Sequence, residues 1–316
     1  MDPFLASSMF LFGLAFGSFL NVCIYRLPLG LSVVTPRSAC PNCKRPIAFY
    51  DNLPVLSWLF LLGRCRHCKV RISPRYLLIE LLTGALFLGC YAYAGLTVAT
   101  LKYCVFGFLL LGLIFTDAET KLLPDKLTLP GLALGLLFSL LVPVHDMASQ
   151  FLPGMVNLPF SADLAARLFS LLDSLLGAAV GASFIYGAGA IYLRWRGAEG
   201  MGFGDVKLMA MVGAFLGMKL TIFTIFGGSL VGSMFGLTTM LVVWIKRTHR
   251  FTRRLENLQA ARRDPPKESP WSRGWQSAQM VYRHYQMPFG VFLGSMALLA
   301  LFVGNQFLSW YGRLWW

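Results

Sequence analysis

Apolar residues fall in long uncharged blocks along this chain, over 4–25, 81–101, 103–116, 127–144, 174–193, 208–218, 220–245 and 287–312. Several blocks are long enough to cross a hydrocarbon core of about 30 Å as helices. Taken one after another they predict an all-α polytopic membrane protein of about eight transmembrane helices. The weakest is 208–218, short enough for a re-entrant segment. Composition agrees: the 316 residues are 56% hydrophobic and 13% charged, with a mean hydropathy of +0.62. A soluble domain of this size would dilute its apolar residues with water-facing ones. The first block superficially resembles a signal peptide. It lacks a basic leading region and a small-residue cleavage site, so it is expected to stay as the first span.

Charge then orients the spans. The net charge is +14, and 24 of the 28 Lys and Arg residues lie in four segments, 26–75, 121–126, 194–207 and 246–283. The positive-inside rule assigns all four to the cytoplasm. Alternation from there predicts an outside N-terminus, eight crossings and an outside C-terminus. It also requires 208–218 to cross, since otherwise the basic stretch 246–283 would land outside. Basic charge in loops that flank a membrane points to orientation and to contact with anionic lipid. No nucleic-acid partner is expected.

Of the seven cysteines, Cys23, Cys90 and Cys104 lie in or near apolar spans, where small packing residues are expected. The other four form two knuckles, Cys40-Pro-Asn-Cys43 and Cys65-Arg-His-Cys68, in stretches that repeat each other: CPNCKRPI and CRHCKVRI. Paired CxxC turns with about 15–20 residues between them are the zinc-ribbon signature, and the 21 residues of 44–64 come close to it. Each knuckle supplies two thiolates, so both are needed for a tetrahedral site. The competing reading, two disulfides, is disfavoured for a loop placed in the cytoplasm by its charge. A site with four protein ligands has no open position and is structural. His67 sits inside the second knuckle and is expected to be an exposed bystander.

Two aspartates carry the candidate chemistry. In LIFTDAETKLLPDKLTLPG (113–131), Asp117 closes the third span at the C-terminal end of its helix, where the dipole disfavours an anion. Asp125 opens the fourth span after Pro124, where an acidic residue suits the helix dipole. In GAEGMGFGDVKLMAMVG (197–213), Asp205 starts the sixth helix after a glycine-rich turn. On its own, GxGD fits a helix cap. Paired with Asp117 at the same membrane face, it makes two costly carboxylates beside apolar sequence, a pattern that marks a functional site. Two neighbouring carboxylates share a proton and titrate as a pair, so one can activate water while the other protonates the carbonyl oxygen or leaving nitrogen. Motifs for other chemistry, HExxH, GxSxG and GxxxxGK[ST], are absent from the sequence.

GSFLNVCIYRLP (17–28), the double CxxC, DNLPVLSWLFLLGRCRHC (51–68), ISPRYLLIELLTG (72–84), TDAETKLLPD (116–125) and GFGDVKLMA (202–210) together resemble the bacterial type IV prepilin peptidases, the prepilin leader peptidase/N-methyltransferases. The resemblance covers most of the chain. It implies a GxGD aspartyl membrane protease with Asp117 and Asp205 as its catalytic pair and Cys40, Cys43, Cys65 and Cys68 as structural zinc ligands. It implies prepilins or type II secretion pseudopilins as protein substrates, cut after a glycine that ends a basic leader at the cytoplasmic face of the bacterial inner membrane. It also implies methylation of the new N-terminal residue, with S-adenosylmethionine as donor. Glu119 and Asp125 stay open as acidic neighbours of the first catalytic position. No Rossmann-type donor site is present, and Asn21, Arg75 and Glu80 are only candidate contacts for a charged donor.

The division expected along the chain is a first transmembrane helix over 1–25, a cytoplasmic four-cysteine domain over 26–76 and a membrane core with both aspartates over 77–245. A basic cytoplasmic loop over 246–287, containing Pro265-Pro266 and Trp271, and a last helix with the C-terminus over 288–316 complete it. Two alternatives accompany this reading: a peptidase that does not methylate, and a non-enzymatic scaffold or transporter with a zinc-stabilised loop. A transporter would place its polar residues near the bilayer midplane.

Overall fold

The computed structural model describes every residue except 1, 145, 147–148, 151–160, 198–200, 261–268, 285–286 and 314–316. Pro265 and Pro266 of the expected basic loop therefore lie outside the described residues. Among the described residues there are ten α-helices and no strand, only two isolated bridges.

Helix α1 (Pro3–Arg26) begins on Asp2, whose side chain accepts the Phe4 N–H, and has proline in its first turn, where a missing N–H costs nothing. Residues 27–74 form a small knob holding a 3-10 turn (Phe49–Asn52) and the short α2 (Leu56–Phe60). Helix α3 (Arg75–Ala94) returns along α1 and turns at Gly95 into α4 (Val98–Thr120). Helix α5 (Asp125–Leu141) starts on Pro124. Helix α6 (Ala162–Arg196) starts on Ser161, whose side chain accepts the Leu164 N–H, and stops at Gly197. Helix α7 (Phe203–Ala260) is followed by α8 (Pro270–His284), α9 (Phe289–Leu299), a π turn over Ala300–Gly304, and α10 (Asn305–Arg313).

Among the described residues, six helices are long and apolar enough to cross a bilayer, against about eight expected. The difference has two sources. Helix α5 has 17 residues, about 26 Å of rise, just short of the hydrocarbon thickness. The expected sixth and seventh spans are both in α7, interrupted at Gly217 (φ 79°, ψ 179°). At that glycine the chain doubles back. The Met209 carbonyl and the Thr221 Cγ2 both border Gly181 of α6, the latter 3.0 Å from where a Cβ would stand. Twelve residues of straight helix would separate them by about 18 Å. The 208–218 block is thus the first limb of a helical hairpin, and only a residue without a Cβ adopts its turn cheaply.

Small residues let the helices approach. A Cβ on Gly177 would meet the Gly217 backbone 2.7 Å away, and one on Gly13 would meet Gly84 Cα at 2.7 Å. The Gly177–Gly181 spacing therefore packs α6 on α7 within one chain. The principal core lies between α4, α5, α7 and α9 around Phe106, Leu110, Leu208, Met211, Phe215 and Leu293, with Phe106 and Phe215 stacked at 4.6 Å.

At the end of the bundle away from the knob, buried Asp146 accepts the Lys219 N–H at 2.8 Å, and its other oxygen lies 3.5 Å from Lys219 Nζ. This carboxylate caps the returning limb of α7. Asp146 is itself held by its N–H, which donates to Asp173 Oδ2 at 3.2 Å.

Candidate active site and thiol cluster

Helices α4, α7 and α9 bring their ends together on the side of the bundle that carries the knob. Asp117 sits in the last turn of α4, which stops at left-handed Lys121 (φ 57°). Asp205 sits in the first turn of α7. They are only 5% and 7% exposed and close enough to interact electrostatically. Leu123, from the α4–α5 turn, is wedged beside them: a Cβ on Gly204 would stand 2.9 Å from Leu123 Cβ, and one on Gly290 would stand 3.2 Å from Leu123 Cδ1. One side chain thus spaces the first turn of α7 from the first turn of α9.

The third element was not foreseen. Asp117 Oδ2 accepts the backbone N–H of Val291 at 2.9 Å, and a Cβ on Gly290 would lie 2.9 Å from that same oxygen. The unsatisfied N–H groups and positive dipole of the α9 N-terminus compensate the unfavourable end of α4 on which Asp117 stands. A backbone donor has no side-chain signature. The one local signal in the sequence is Pro288, near the start of the 287–312 block, where a proline suits a helix beginning.

The two rival acids are otherwise engaged. Glu119 pairs with Arg75 at the start of α3. Asp125 is 56% exposed at its side chain and takes the Lys207 ammonium at 2.6 Å. Of the three, Asp117 is the buried one, and it lies within electrostatic reach of Asp205. The expected donor contacts lie at the α1–α3 junction. Asn21 Nδ2 donates to the Tyr76 carbonyl at 3.0 Å, leaving its buried Oδ1 without a partner. Glu80 is buried and accepts the Val55 N–H at 2.7 Å, holding a β-branched residue at φ 62°. Arg75 stacks on Tyr76 at 4.9 Å.

In the knob, the sequence repeat is a structural repeat. Cys40 N–H donates to the Arg45 carbonyl at 3.0 Å, and Cys65 N–H donates to the Val70 carbonyl at 2.9 Å. Lys44 and Lys69, each following its knuckle, are both left-handed, at φ 56° and 58°. The ligand atoms of Cys40, Cys43, Cys65 and Cys68 all lie within 4.8 Å of one another, and no disulfide joins them. Cys40 and Cys68 sulfurs are 3.7 Å apart, against about 3.8 Å along the edge of a tetrahedron with 2.3 Å zinc–sulfur bonds. Backbone N–H of Val70, and then the Asn42 side chain, draw the Cys68 thiol down to about 6. The donor set and its geometry fit a tetrahedral metal. His67 lies outside the cluster, against Arg45 at 3.3 Å. Asp51 clamps the second knuckle through two bonds to Arg66, at 2.8 and 2.6 Å, and the guanidinium holds its carboxyl below the usual range.

Fold and site together define a multi-pass, all-α membrane protein with a buried carboxylate pair at one end and a four-thiol knob beside it. Residues 11–94 match the model of the bacterial peptidase A24 N-terminal domain, and residues 104–237 match that of the type IV leader peptidase family. A protein of Myxococcus xanthus named prepilin leader peptidase/N-methyltransferase is 37% identical over 273 residues, covering 85% of this chain and 72% of its own. Proteins of the same name from Klebsiella pneumoniae (41% over 228 residues; 69% of this chain, 88% of theirs) and Aeromonas hydrophila (32% over 329 residues; 96% and 93%) are similar too. The chain belongs to the type IV leader peptidase family. No solved structure matches it.

Proposed function

We propose that this chain cleaves the leader peptide from type IV prepilins or type II secretion pseudopilins and then methylates the new N-terminus, with Asp117 and Asp205 as the catalytic pair. The observation that carries the assignment is the burial of these two carboxylates at one end of the bundle, within electrostatic reach of each other, with Glu119 and Asp125 committed to basic partners. One aspartate, ionised, takes a proton from water as it attacks the scissile carbonyl. The other, protonated, gives its proton to the leaving nitrogen, so the C–N bond breaks and the pair again shares one proton. Val291 N–H fixes the Asp117 carboxyl so that it meets the peptide in one orientation.

S-adenosylmethionine, when bound, would supply the methyl group for the freed amine. Asn21 Oδ1, buried without a partner, is an acceptor open to a cationic group at the α1–α3 junction. Cys40, Cys43, Cys65 and Cys68 are proposed to hold one zinc ion, which cross-links the two knuckles and has no free coordination position for chemistry.

The protein is placed in the bacterial inner membrane, N-terminus outside, with knob and carboxylates at the cytoplasmic face. Support comes from the basic residues Arg75, Lys121 and Lys207, which flank the carboxylate end of the bundle. The functional units follow: a first span over 1–25, a metal-binding domain over 26–76, the catalytic core over 77–245, a basic segment over 246–287 and a last span over 288–316. A transport role is disfavoured because the carboxylates lie at a bundle end and not at its middle.

Mass spectrometry of a prepilin incubated with reconstituted protein and S-adenosylmethionine tests the assignment. Wild type removes the leader and adds a methyl group, whereas Asp117→Asn and Asp205→Asn leave the substrate intact. Cleavage by both single variants overturns the aspartate mechanism; cleavage without a methyl increment in the wild type removes the second activity.

A further inference from the structure

Helix α7 continues past the end of its apolar run at Ile245 to Ala260. One side of this extension is covered by α8. Trp271 and Trp275 lie 5.2 and 5.3 Å from the Trp244 ring, and Trp244 Nε1 donates to the Trp271 carbonyl at 3.3 Å. Gly274 seats α8 on the backbone of Thr248, 3.1 Å from where a Cβ would stand, and Ala278 is buried. At about 100° per residue, Trp244 and Thr248 share one side of the helix, and Lys246, His249, Arg250 and Arg253 gather on the other.

Those four side chains are exposed and line a shallow cleft of about 370 Å³. Among the described residues none of them enters an ion pair. Like charges at i, i+4 and i, i+7 along one face repel and leave a site that an anion relieves. Position identifies the anion. The first cation follows the last apolar residue of the span directly, and the four cover only about 10 Å of rise. A lipid head-group layer is about 5–8 Å deep on each side of the hydrocarbon. Indoles at the same level, with Trp271 60% exposed, suit the membrane–water interface.

We infer that the Lys246–His249–Arg250–Arg253 face of α7 is a docking site for the phosphate groups of anionic phospholipid in the adjacent leaflet. The inference is independent of the carboxylate chemistry, since none of its residues touches Asp117 or Asp205. Three permanent cations near an anionic surface amount to a preference on the order of a hundredfold over zwitterionic lipid.

The test is native mass spectrometry of the full chain exchanged into equal phosphatidylglycerol and phosphatidylcholine. Comparison is made with K246Q/R250Q/R253Q and with the charge-retaining R250K/R253K. Expected are strong retention of phosphatidylglycerol by wild type and R250K/R253K, its loss by at least tenfold in the glutamine variant, and equal thermal midpoints. Equal retention by the glutamine variant overturns the site, as does loss in the charge-retaining one. Displacement of the lipid by millimolar inorganic phosphate assigns the face to a soluble phosphate instead. Polyglutamate binding with no preference between lipids assigns it to an acidic polypeptide; either result overturns lipid docking.

Discussion

Gly290→Ala is the sharpest perturbation of the proposed catalytic pair, because it alters neither carboxylate. The added methyl group stands 2.9 Å from Asp117 Oδ2 and 3.1 Å from its Cγ, with Leu123 Cδ1 at 3.2 Å on another side. Ordinary contact needs at least 3.4 Å, so the carboxyl must move by several tenths of an ångström. That motion is directed at the atom receiving the Val291 N–H. A hydrogen bond to a charged group contributes about 1.5–3 kcal/mol, so losing its alignment in the transition state slows cleavage by roughly 10- to 150-fold. Stability moves less, because alanine's propensity gain, about 0.5–1 kcal/mol in a helix interior, works against the overpacking of this contact. Single-turnover cleavage of a prepilin at saturating enzyme, beside a thermal melt, separates the two effects. Gly187→Ala is the control, since a Cβ there meets nothing within 4 Å. Cleavage by Gly290→Ala within twofold of wild type would refute the claim that α9 positions Asp117.

Three further outcomes are expected. Glu119→Gln and Asp125→Asn keep cleavage within about threefold, because exposed ion pairs contribute only about 0–1 kcal/mol; loss of activity in either would move the first catalytic position off Asp117. Zinc, measured by atomic emission after gel filtration, stays at pH 7 and is lost progressively on acidification; retention unchanged at pH 4 would show that the four thiolates are not its ligands. The sign follows from ligation by thiolate: protons compete with the metal for the four sulfurs, so affinity falls as pH falls. Asp146→Ala removes the cap on Lys219 and costs about 1 kcal/mol; an unchanged thermal midpoint would show that the hairpin turn does not depend on it.

Long uncharged blocks were enough to predict the helices, since a bilayer leaves the backbone few other choices. The hairpin in α7 was half legible. Charge parity required 208–218 to cross, but nothing in a count of charges reveals that Gly217 supplies the reversal with no loop. The thiol cluster was legible almost completely, because ligand spacing within a knuckle is a local constraint and the two knuckles repeat in sequence. Their left-handed Lys44 and Lys69 were not, as lysine carries no preference for that conformation. Asp117 and Asp205 stood out because ionisable groups are rare beside apolar blocks. What sets buried Asp117 apart from Glu119 and Asp125 is long-range: Arg75, Lys207 and Val291 lie on three other helices.

The bond from Val291 to Asp117 spans 174 residues. A ribosome adding about 5–20 residues per second needs roughly 10–35 s to travel that distance. Through that interval the nascent chain already exposes Asp117, and later Asp205, to the membrane, yet the amide that orients the first is still unmade. On the proposed assignment, the emerging chain lacks an oriented Asp117 until the first turn of α9 has been made.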